Sequence, residues 1–164
     1  MALVIIVCCA LAGHKKSVDD RQNIISINEF IKALNIMICE LEFHRSPLPT
    51  LCSFVSERTE GVVSKIFTLL NHELAAQVMP DVSNCCSIAI QKCSGIPSHL
   101  NNLFCLMGES LGIFDVAGQV SQLRYVKSVA EKIMEDSHKH YERFGRSNQT
   151  LWICAGIALA VILI

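Results

Sequence analysis

Residues 26–43 read SINEFIKALNIMICELEF, and the class of fold follows from this stretch. Its apolar side chains recur at steps of three and four residues, namely Ile27, Phe30, Ile31, Leu34, Met37, Ile38 and Leu41. That spacing places them along one face of an α-helix. Ser46-Pro47-Leu48-Pro49 follows, and the helix cannot continue there because prolines lack a backbone donor. We predict an amphipathic helix that begins near Asp19 and Asp20 and ends near Phe43.

The same spacing recurs along the rest of the polar part of the chain. Further helices are predicted over residues 50–57, 60–79 and 98–111, and a last one from Asp115 onward. Pro80 and Gly95 bound a shorter helix, for which Asp81 or Ser83 is the expected N-cap. No stretch alternates apolar and polar residues with a period of two, as a strand would. The sequence therefore predicts an all-α fold, an antiparallel bundle of about six helices.

Both ends of the chain are free of charged residues. Residues 1–13 read MALVIIVCCALAG and residues 150–164 read TLWICAGIALAVILI. A spanning helix needs about 20 apolar residues, and both runs are shorter, but Trp152 can anchor the second run at the interface and thinning of the bilayer can absorb the mismatch. We predict a short N-terminal membrane segment over 1–13, a cytoplasmic helical bundle over 14–147 and a C-terminal transmembrane helix over 148–164.

The N-terminal run also has an alternative interpretation as a signal peptide, with Ala10-Leu11-Ala12 as the cleavage site. Positive charge follows this run instead of preceding it, which favours a retained segment. The charged groups nearest the two apolar runs lie on the inner flank of each, and they include Lys15, Lys16, Lys139 and Arg143. Because Lys and Arg near membrane segments favour the cytoplasmic side, we expect the domain between the runs to face the cytoplasm.

Charge and motifs argue against catalysis and against nucleic-acid binding. The formal net charge of −1 provides no basic field for nucleic acid. The nine cysteines contain no CxxC pair and no zinc-like Cys/His spacing, so we interpret them as reduced, buried, small apolar residues. His138 and His140 are two residues apart and so lie on different helix faces, which is unsuited to two ligands of one metal. Ser110 has no histidine placed in sequence to activate it as a nucleophile. The sequence contains no phosphate-binding loop. We expect no enzyme activity, metal, cofactor or small-molecule substrate.

Two motifs resemble those of a known family. Residues 107–123 read MGESLGIFDVAGQVSQL, a frame that resembles the signature of the stage III sporulation protein AB family. Upstream, Glu40-Leu41-x-Phe43-x-x-Ser46-Pro47-Leu48 is similar to the motif at the end of that family's first long helix. The motifs occur in order at suitable spacing, and the charge-free C-terminal run is similar as well. The resemblance thus covers nearly the whole chain.

Seven residues of these motifs are the candidate site, in structural roles: Glu40, Pro47, Leu48, Gly112, Asp115, Gly118 and Gln119. Glu40 lies at the unfavourable end of the helix dipole and is expected to have a specific partner, a backbone donor or Arg45. Gly112 is expected at a helix stop with positive φ, and Asp115 as the cap of the last helix. Gly118 suggests close approach of another helix.

The resemblance implies a domain similar to the cytoplasmic domains of the type II secretion and type IV pilus platform protein. It further implies a membrane-anchored scaffold of the stage III sporulation A complex, a channel or secretion-like assembly between mother cell and forespore. Its partners would be the other stage III sporulation A proteins, above all a secretion-type ATPase, and the lipid bilayer of the mother-cell membrane. Two alternatives remain: a platform for non-sporulation secretion or pilus assembly, and a secreted or lipid-associated helical binding protein whose N-terminal run is cleaved.

Overall fold

A computed structural model describes the backbone of residues 2–44, 46–76, 81–111 and 115–162. Side chains are described for those residues of these ranges that lie between 21 and 139. Over these residues the chain is all-α, as predicted, with six helices and no strand. The helices are α1 (Ala2–Phe43), α2 (Leu48–Arg58), α3 (Gly61–Ala75), α4 (Val82–Lys92), α5 (Ser98–Ser110) and α6 (Val116–Ile162). Ser26–Ile133 forms one compact unit, and Met1–Ile25 with Met134–Ile164 forms another.

The first helix begins much earlier than predicted. It starts at Ala2 and passes through Asp19 and Asp20, where the sequence predicted its first turn. The change of composition near residue 14 is not a helix break, because Gly13 is the only unfavourable residue there. One glycine costs about 1 kcal/mol of helix propensity, which a helix of 42 residues tolerates. The last helix is likewise continuous to Ile162.

No helix within the described part of the chain has an apolar stretch long enough to cross a membrane. The predicted membrane segments are residues 1–13 and 148–164. Their side chains lie outside the part of the chain that the structure describes. Both segments therefore remain predictions.

The short helices begin and end at local signals. Helix α2 starts at Leu48, two residues before the predicted start, because proline is tolerated in a first helical turn. Gly61 has φ +65°, the left-handed region, and lets the chain turn directly from α2 into α3. Of the two predicted caps of α4, Asp81 is the one used, since its carboxylate accepts the backbone N–H of Ser83 at 3.1 Å.

The core of the Ser26–Ile133 unit centres on three phenylalanines from three helices. Phe104 of α5 lies edge-on to Phe30 of α1 at a centroid distance of 4.7 Å and contacts Phe67 of α3 at 5.5 Å. All three rings are fully buried. The predicted stripe of α1 is confirmed, since six of its seven residues are buried and Ile38 is half-buried.

Helices α4 and α5 approach closely at Gly108. A Cβ added to this glycine would lie 2.9 Å from the Cβ of Cys86 and 3.5 Å from the Cα of Ser83. The Cys86 thiol also donates to the carbonyl of Phe104 at 3.3 Å. The missing side chain of Gly108 therefore sets the spacing of these two helices.

Candidate functional site

The Glu40 side chain contacts the residues that follow α1 and holds them against this helix. Its Oε2 accepts a hydrogen bond from the Ser46 hydroxyl at 3.2 Å and lies 3.5 Å from Nδ1 of His44. The Glu40 side chain is only 15% exposed, whereas that of His44 is 65% exposed. These contacts give Glu40 a specific partner, while Arg45, one of the two expected partners, lies outside the described residues, so that pairing remains a prediction.

Pro47 and Leu48 form the start of α2. Pro47 has φ −58° and ψ 146°, and its carbonyl accepts the N–H of Leu51 at 2.9 Å. Leu48 is the first residue of the helix and is half-buried. These residues turn the chain from α1 into α2 within a few positions.

Asp115 provides the N-terminal cap of α6, as the sequence predicts. Its Oδ1 accepts the N–H of Gly118 at 3.1 Å, and its carbonyl accepts the N–H of Gln119 at 2.9 Å. Gly118 and Gln119 are half-buried in the first turn. Gly112 lies outside the described residues, so its expected positive φ remains a prediction.

The end of α1 meets the start of α6 in a shallow depression of about 440 Å³, called the junction groove below. It is lined by Glu42, Val116, Ala117, Val120, Ser121 and Arg124. A guanidinium nitrogen of Arg124 donates to the carboxylate of Glu42. Both side chains are substantially exposed, so the ion pair lies at the rim of the groove and contributes little to stability.

One exposed apolar side chain, that of Val116, lines this groove. Four large apolar residues are exposed in the described part of the chain, and three of them are Phe43, Val116 and Tyr125. Val116 lines the groove, Phe43 follows Glu42, and Tyr125 follows Arg124. Phe43 is 76% exposed, the largest exposed fraction among these four residues.

The cysteines whose side chains the structure describes differ in exposure. Burial raises the pKa of Cys52 and of Cys86 to about 12, so both stay protonated near neutral pH. Cys39 is exposed, which corrects the expectation that the cysteines are buried apolar residues. No group of three or more potential metal ligands comes together among the residues whose side chains the structure describes.

Sequence reasoning missed the junction groove. Glu42 and Arg124 pair across 82 positions, and no local pattern links two residues so far apart.

A family model described as stage III sporulation protein AB matches residues 1–164, the whole chain. The chain belongs to the stage III sporulation protein AB family. The recognition from the two motifs is thereby confirmed.

A solved structure of stage III sporulation protein AB (SpoIIIAB) shares the fold with a TM-score of 0.62 at 18% sequence identity. The match covers 70% of this chain and 91% of that chain. No curated protein matches the sequence.

Both motifs of this stage III sporulation protein AB member lie at one end of the Ser26–Ile133 unit. Glu42, within the first motif, lines the same groove as Val116 of the second. Glu40 holds the chain after α1 against that helix, and Pro47 lies at the turn into α2. Asp115 caps α6. The groove lies at this same end, with the Glu42–Arg124 ion pair at its rim.

Proposed function

We propose that the chain is a membrane-anchored scaffold of the stage III sporulation A complex, which docks the complex's secretion-type ATPase during endospore formation. The family match over the whole chain carries this proposal. The site supports a structural role, since the motif residues with described side-chain contacts cap helices or hold the chain against them.

The charge-free termini support attachment to the mother-cell membrane that surrounds the forespore. Residues 150–164 and residues 1–13 contain no charged side chain, and Lys and Arg lie on the inner flank of each run. We infer that residues 148–164 form the principal anchor, that residues 1–13 form a shorter membrane segment, and that the domain between them faces the cytoplasm.

Deletion of the gene in the source organism tests the sporulation role. The expected result is arrest of forespore development, restored by the full-length gene supplied at another locus. Normal spores from the deletion strain would contradict the proposed role in sporulation.

ATPase docking is tested by purifying the full-length, tagged chain from sporulating cells in mild detergent. We expect the ATPase to co-purify with it in a nearly fixed ratio. A matched bait lacking residues 26–133 but keeping both apolar ends should not retain the ATPase. Equal recovery with the two baits would mean that the domain is not the docking element.

Anchoring is tested by alkaline carbonate extraction of membranes from the same cells. The full-length chain should stay in the membrane pellet, and a chain that ends at Gln149 should move substantially to the supernatant. Complete release of the full-length chain would contradict the proposed anchor without bearing on the sporulation role.

A further inference from the structure

We draw no further inference here: the strongest candidate, the thiols of Cys86 and Cys105 where α4 packs against α5, belongs to the helix packing already described, because the Cys86 side chain is buried against Gly108 and its thiol donates to the carbonyl of Phe104.

Discussion

Gly108 is the residue whose missing side chain matters most to the packing. In sequence it is a glycine inside a helical pattern, where it costs about 1 kcal/mol relative to alanine. In the structure, the space for its Cβ is taken by the Cβ of Cys86 at 2.9 Å. Because both atoms are fixed to helix backbones, a side chain at position 108 can be accommodated only if α4 and α5 move apart.

Gly108→Ala is therefore expected to destabilise the fold by about 1–3 kcal/mol, despite the better helix propensity of alanine. The measurement is urea unfolding of the full-length chain followed by circular dichroism. The cost of Gly108→Ala should be smaller in a Cys86→Gly background, which removes the opposing side chain, and a double-mutant cycle gives this difference. An equal cost in both backgrounds would show that the contact with Cys86 is not the cause.

The position of Glu40 in its helix predicts that its carboxylate has a partner but does not identify that partner. Its place near the C-terminal end of a helix predicts that it has a partner, because a carboxylate is unfavourable there. The identity of that partner depends on how the chain turns after Phe43. The Ser46 hydroxyl reaches the carboxylate only because the following residues turn back toward α1.

At the scale of one helix, Asp115 determines how well α6 begins. Asp115→Ala removes the acceptor of the Gly118 N–H and should cost about 1 kcal/mol. The loss should be local, so amide hydrogen exchange at residues 116–119 should accelerate. Asp115→Asn keeps a side-chain oxygen and should remain close to the natural chain. Equal protection of these amides in Asp115→Ala would mean that the cap contributes nothing.

The pairing of α3 with α4 includes a pH-sensitive ion pair. Lys92 Nζ donates to Oε1 of Glu73 at 2.6 Å, and this hydrogen bond, aided by the Lys92 charge, lowers the pKa of Glu73 below its ordinary value near 4.5. A carboxyl group with a lowered folded-state pKa stabilises the fold above its unfolded pKa. That contribution is lost as the pH falls through the folded value.

Lys92→Met should therefore lower the urea midpoint modestly near pH 7, and the difference from the natural chain should shrink below about pH 4.5. Lys65→Met, at an exposed position of α3, removes the same charge without an ion pair and serves as the control. A difference between Lys92→Met and the natural chain that stayed constant down to pH 2 would exclude the ion pair as its origin.

Local signals predicted most of the elements but not all of their limits. Apolar periodicity, Pro47, Pro49 and Asp81 act within a few residues, so five of the six helices are found close to their predicted starts. The start of α1 was missed because the composition changes near residue 14 while the helix continues. The contact of Glu42 with Arg124 required the tertiary fold, since nothing near either residue indicates the other.

For the whole molecule, orientation in the cell can be tested through the thiols. Cys39 is exposed, whereas Cys52 and Cys86 are buried and protonated, so a maleimide should modify Cys39 well before those two. If the domain faces the cytoplasm, a membrane-impermeant maleimide should leave Cys39 unmodified in intact cells and modify it after lysis. Peptide mapping by mass spectrometry assigns the site, and Cys39→Ser controls for other thiols. Modification of Cys39 in intact cells would reverse the proposed orientation.

The three-phenylalanine core also bears on how the protein is made. Phe30 and Phe67 leave the ribosome before Phe104, the ring that both of them contact. Until α5 has been synthesised, the two earlier rings lack their central neighbour, and the growing chain holds apolar helices without a finished interior. Folding of the domain must therefore be completed late in translation, and a chain released before Phe104 would be a substrate for chaperones and proteases.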